Sequence, residues 1–233
     1  MNRQGSLKNR VRKGSFWPLL KEKEPLVYLC IDRASCGGRD LLYVLERAIC
    51  GGVGVVQLRE KEIETREYVK LGKRIKGFLK ERGVPFIIND RVDVAMAVGA
   101  DGVHVGQEDL HPIDVRRIVG ENMLIGLSVN TPLQALEAEL LPVDYIGVGP
   151  VFPTSTKKDA KPLLHIEGLK NILKMTTHPV IAIGGITPRN CSSLASLPLA
   201  GVAVVSAICS APNPYEAAAY LKLCLSSCRK SHL

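Results

Sequence analysis

The sequence predicts an α/β fold, a single (β/α)₈ TIM barrel spanning residues 26–233. Three observations predict it. Eight short apolar, β-branched runs alternate with eight segments of helical period. The runs are near-continuously apolar, as parallel strands covered by helices must be. The chain has 233 residues, close to the length of one such barrel. An open, doubly wound sheet is the alternative that the same alternation allows.

The series begins after Pro25. Strand-like runs occupy Leu26–Asp32, Val53–Arg59, Pro85–Asp90, Gly102–Val105, Met123–Ser128, Val143–Pro150, Pro179–Gly185 and Gly201–Ser206. Between them, Leu41–Cys50, Thr65–Lys80 and Pro132–Leu140 place apolar residues three and four apart, the spacing of a helix face. Pro112–Val119, Ile166–Met175, Pro188–Leu197 and Pro214–Cys228 continue the series, with Arg91–Val98 as a short member. Proline opens several of these helices, where its missing N–H removes no bond.

Composition narrows the function classes. Apolar residues make up 46% of the chain, an ordinary value, and no apolar run reaches the roughly 20 residues of a membrane span. The net charge of +8 is concentrated near the start, at Arg3, Lys8, Arg10, Arg12, Lys13, Lys21 and Lys23. Residues 1–25 read as a basic, flexible extension. A nucleic-acid arm is the other reading, but no DNA- or RNA-binding motif follows. The segment lacks the apolar core of a secretory signal and the serine content of a transit peptide. Trp17 packs on the closed end of the barrel or is simply exposed. Cysteines number seven, without a CxxC pair, so reduced thiols in a cytoplasmic protein are expected. Cys224 and Cys228 stand one helical turn apart, and a packed helix face suits them better than a metal.

Polar residues gather at the C-terminal ends of the strands, where such barrels place their sites. Gln57, Arg59 and Lys61 alternate, so an extended backbone aims one amide and two cations the same way. Asn89 and Asp90 end the third strand, Gly106-Gln107-Glu108-Asp109 follows the fourth, and Ser128 ends the fifth. A loop from Gly149 to Lys158 follows the sixth, and Gly184-Gly185 and Val205-Ser206 end the last two. Asp90 and Asp109 could share a Mg²⁺, which takes few carboxylates and completes its shell with phosphate oxygens. Either Asp could instead cap a helix, and the pattern leaves both readings open. Gly184, Gly185 and Ser206 suit a phosphate. If the two aspartates and Mg²⁺ cancel, Arg59, Lys61 and Lys157 leave about three positive charges for a pyrophosphate. His104 either lines the pocket or packs in the core.

Six segments, VQLREK, FIINDRVDVAMAVGADGVHVGQEDL, IGLSVN, DYIGVGPVFPTSTKKDA, VIAIGGI and GVAVVSAI, together resemble the thiamine phosphate synthase family, in its order, from Val56 to Ile208. The resemblance implies a transferase that joins hydroxymethylpyrimidine pyrophosphate to hydroxyethylthiazole phosphate, carboxylated or not, and releases pyrophosphate. It implies that Gln57, Arg59, Lys61, Asn89, Ser128 and Lys157 hold the pyrimidine pyrophosphate, with Arg59, Lys61, Ser128 and Lys157 acting in the chemistry. It gives Mg²⁺ to Asp90 and Asp109, and the thiazole phosphate to Thr154, Thr156, Gly185, Val205 and Ser206. The family's dissociative substitution proceeds through a pyrimidine carbocation and needs no general base. The loop Arg33–Arg39 and the basic extension match no block of the family. The partners expected are the two small molecules, without nucleic acid or membrane. Homo-oligomer formation is left open.

Three rivals make different demands. A thiazole tautomerase of similar sequence would differ at the metal and pyrophosphate positions and carry His where this chain has Pro150. A non-catalytic thiazole- or thiamine-phosphate sensor would bind without Mg²⁺-dependent turnover. A phosphate-binding isomerase barrel would need a carboxylate base at the substrate carbon, and no residue is identified for it.

Overall fold

The computed structural model describes residues 25–154 and 162–227. Its strands close into a barrel in the order β1 to β8, every neighbouring pair parallel. The elements are β1 (Leu26–Ile31), α1 (Leu41–Cys50), β2 (Val53–Leu58), α2 (Thr65–Lys80), β3 (Phe86–Asn89), α3 (Val92–Val98), β4 (Gly102–Val105) and α4 (Pro112–Val119). There follow β5 (Leu124–Val129), α5 (Pro132–Ala138), β6 (Tyr145–Val148), α6 (His165–Leu173), β7 (Val180–Ile183), β8 (Gly201–Val204), α7 (Ser206–Cys209) and α8 (Pro214–Ser227). Closure excludes the open sheet. The basic extension and Cys228 lie outside the described residues. No helix among the described residues is long and apolar enough to cross a membrane.

Strand alternation sorts the core into two shells. Val27, Leu29 and Ile31 face the helices with the large outer cluster, whereas Tyr28 and Cys30 face the barrel axis with Val55, Ile87, Leu124, Tyr145, Ile181 and Ala203. The N-terminal ends of the strands are tied by aspartates. Asp101 accepts from Phe86 N and from Lys76. Asp144 accepts from Ile125 N and pairs with Arg116 at 2.8 Å, both side chains nearly buried. These contacts join neighbouring strands at the face opposite the site, where stability rather than chemistry is served.

The seventh helix is a correction. In place of a helix over Pro188–Leu197 there is a 3₁₀ turn, Cys191–Leu194. Asn190 takes Thr187 N with its side-chain oxygen and gives its amide to Gly185 O. Ser193 Oγ bonds to Asn190 O. Side chains that bond the local backbone in this way compete with a regular helix. Strand eight also stops early, at Val204, and Ser206 opens the short α7 instead of ending the strand.

Candidate functional site

The C-terminal strand ends surround a cavity of about 280 Å³. Eleven of the predicted site residues line it: Gln57, Arg59, Lys61, Asn89, Asp90, Asp109, Ser128, Thr154, Gly185, Val205 and Ser206. The other two, Thr156 and Lys157, lie outside the described residues.

On one side, β2 delivers Gln57, nearly buried, and the chain runs on through Arg59, whose N–H donates to Ile31 O. Lys61 reaches across to Asp90 at 2.5 Å. That pair is partly exposed, so its value lies in placing both groups rather than in stability. Asp90 leaves β3 with a left-handed φ of 59°, which Asp tolerates better than most residues. Neither aspartate caps a helix. Arg91 precedes α3 without a side-chain cap, and His111 caps α4. Asp109 instead accepts from Gly106 N at 2.7 Å. Partial burial raises the Asp109 carboxyl above its ordinary value, and the neighbouring Asp90 carboxylate raises it further. Lys61, paired with Asp90, acts in the opposite direction and lowers it.

The mouth is more acidic than a count of Asp90 and Asp109 implies. Asp32 and Glu108 line it as well, so four carboxylates face Arg59 and Lys61 among the described residues. Lys157, the third cation of the expected charge balance, lies outside the described residues. Asp32 is engaged in folding the first loop, where it accepts from Ser35 N and Oγ at 2.6 and 2.7 Å. Among the described residues no three His, Cys, Asp or Glu side chains converge on a metal. The Asp90–Asp109 pair fits a hard cation that keeps open positions for substrate oxygens and water.

Opposite, Gly184, Gly185, Val205 and Ser206 form a wall of backbone. Gly185 has φ 62°, and a Cβ there would stand 2.3 Å from Pro153 O, so only glycine lets β7's end pack on the loop after β6. Thr154 at that loop's start also lines the cavity.

The floor holds residues that the strand-end reading missed. Gln57 Nε2 donates to the Tyr28 hydroxyl at 2.9 Å, which lies 2.9 Å from the Tyr145 hydroxyl. Tyr145 in turn meets His104 Nδ1 at 3.1 Å, and His104 Nε2 meets Ser128 Oγ at 3.0 Å. His104 therefore lines the pocket through a polar network. Tyr28 and Tyr145 share strand parity with Cys30 and Gly147, which also face the cavity, and that parity was the available signal. Asn130, also missed, donates to Gly149 O.

Residues 27–208 match the family model described as thiamine monophosphate synthase. The chain is 48% identical to the thiamine-phosphate synthase of Laribacter hongkongensis over 81% of its own length and 89% of the relative's. It is 49% identical to that of Solidesulfovibrio magneticus, over 86% and 95%. A solved thiamine phosphate pyrophosphorylase from Pyrococcus furiosus superposes with a TM-score of 0.80 at 36% identity, covering 87% of this chain and 96% of the other. The 3-hexulose-6-phosphate synthase of Salmonella typhimurium, at 19% identity and TM-score 0.67 over 86% and 98%, shares the fold alone.

Proposed function

Because the chain belongs to the thiamine monophosphate synthase family and is a transferase of thiamine biosynthesis, we propose that its barrel mouth joins hydroxymethylpyrimidine pyrophosphate to hydroxyethylthiazole phosphate by dissociative substitution. The observation that carries this reading is the facing of two unlike walls, a charged one on β2–β4 and a backbone one after β7 and β8. Gln57, Arg59, Lys61, Asn89, Ser128 and Lys157 take the pyrimidine substrate. Thr154, Thr156, Gly185, Val205 and Ser206 take the thiazole phosphate.

The C–O bond to pyrophosphate breaks, and pyrophosphate leaves with the electron pair. The thiazole nitrogen then forms the C–N bond with its own lone pair, so no base is needed. Arg59, Lys61 and Lys157 meet charge as it builds on the leaving group. The two walls hold the nucleophile beside the reacting carbon, which lowers the entropic part of the barrier. Asp90 and Asp109 would hold Mg²⁺, which supplies charge neutralisation for the departing pyrophosphate.

Four carboxylates at the mouth repel an unaccompanied anion. Calorimetric titration with inorganic pyrophosphate should therefore show binding that needs Mg²⁺. Equal affinity in excess chelator would contradict the assignment of the charged wall. The cytoplasm, with its reducing thiol poise, is the proposed compartment.

A further inference from the structure

Below the mouth, Gln57, Tyr28, Tyr145, His104 and Ser128 come from five different strands and are joined end to end by hydrogen bonds. Each phenol has one proton to donate. Burial above all drives both tyrosines upward from their ordinary value, so both keep that proton. We infer that the chain of bonds runs in one direction, from the Gln57 amide to the Ser128 hydroxyl. Ser128 is thereby held as a donor toward the cavity and Gln57 Oε1 as an acceptor, with Tyr28, Tyr145 and His104 as positioning residues.

The direction follows link by link. Gln57 Nε2 donates to Tyr28, so the Tyr28 proton goes to Tyr145. The Tyr145 proton then goes to His104 Nδ1, which accepts. His104 carries its proton on Nε2 and donates it to Ser128 Oγ. The proton of Ser128 is left for a ligand. The reverse order would turn the Gln57 amide end for end and place the His104 proton on Nδ1. It would also aim a Ser128 lone pair at the ligand. On the substrate assignment proposed above, Ser128 meets an acceptor of the pyrimidine substrate, toward which an O–H is attractive and a lone pair repulsive.

The surroundings hold these links in place. Gln107 Nε2 donates to the Ser128 carbonyl at 2.6 Å. A Cβ at Gly126 would stand 2.3 Å from both His104 Nδ1 and Tyr145 Cζ, so the contact between ring and hydroxyl requires glycine beneath it. On the substrate assignment proposed above, the pyrimidine's amino group donates to Gln57 Oε1, and an acceptor of the same substrate takes the Ser128 proton. The two ends thus read one ligand jointly. An oxo group in place of the amino group would face an acceptor that the chain of bonds does not let turn.

Two measurements test this. Nitrogen-15 NMR of the ligand-free full chain should show His104 protonated on Nε2 and bare on Nδ1, the signal being assigned with His104→Gln. A protonated Nδ1 would overturn the inference. Then kcat/KM is compared for the amino and oxo pyrimidine pyrophosphates. Tyr145→Phe removes one link and frees the amide, so the preference for the amino form should fall about tenfold, the worth of roughly one hydrogen bond. Tyr28→Phe breaks the neighbouring link and replaces it should Tyr145→Phe not fold. An unchanged preference in a folded variant would overturn the coupling. Should the wild type turn over neither pyrimidine while His104 shows the expected tautomer, the substrate assignment fails and the direction of the bonds stands.

Discussion

Asp90 and Asp109 reach the mouth by different local devices. Asp90 swings out of β3 through a left-handed backbone turn, and Asp109 is tethered to Gly106 N across its own loop. In the sequence each could equally have been a helix cap, because Asp after a strand and before a helix fits both uses. The caps lie elsewhere, which leaves the two carboxylates facing one another. Asp90→Asn and Asp109→Asn should each cripple turnover at limiting Mg²⁺ while leaving the fold intact. Removing one carboxylate relieves repulsion in the metal-free protein, so its melting temperature should hold or rise, while the rise on adding Mg²⁺ should shrink. Melting curves with and without Mg²⁺, beside initial rates, check both halves. Normal rates at limiting Mg²⁺ in both variants would remove the pair from the site. Tyr28 and Tyr145 were less legible, since a tyrosine inside an apolar strand looks like core until its partner across the barrel is known.

At the scale of elements, the strands were legible because continuous apolar runs leave few other readings, and their ends then located the site. The turn after β7 was not. Pro188 opens a segment of helical period, but Asn190 and Ser193 bond to the local backbone and hold it to a 3₁₀ turn. The four residues of α7 are too few to show a period. Strand-to-strand ties at the opposite face carry stability without chemistry. Asp144→Ala would take the carboxylate from the buried Arg116 guanidinium, which keeps its bonds to the Gly120, Met123 and Pro142 carbonyls, and would remove the acceptor of Ile125 N. Breaking such a pair costs about 3–5 kcal/mol. Chemical denaturation should show a loss of that order, with KM for both substrates near wild type while the protein remains folded. A stability change under about 1 kcal/mol would show that water replaces the pair at little cost.

For the whole molecule, the eight strands that close the barrel wall lie between Leu26 and Val204. We propose that residues 1–25 form a basic extension outside the catalytic barrel. Removing residues 1–24 should leave kcat, KM and melting temperature nearly unchanged, and a large loss in any of them would give that segment a place on the barrel or in the site. The charge of the mouth was the global property least legible in the sequence. Asp32 and Glu108 follow different strands, and only the folded barrel brings them beside Asp90 and Asp109. On the proposed mechanism, a mouth with those four carboxylates would need a divalent cation as well as the two substrates. The most direct measurement is one turnover assay with hydroxymethylpyrimidine pyrophosphate and hydroxyethylthiazole phosphate, with Mg²⁺ and with chelator. It should give thiamine phosphate and pyrophosphate in equal amounts, only with both substrates and only with the metal. Binding of either phosphate without product, or product formation undiminished by chelator, would contradict the mechanism proposed for this site.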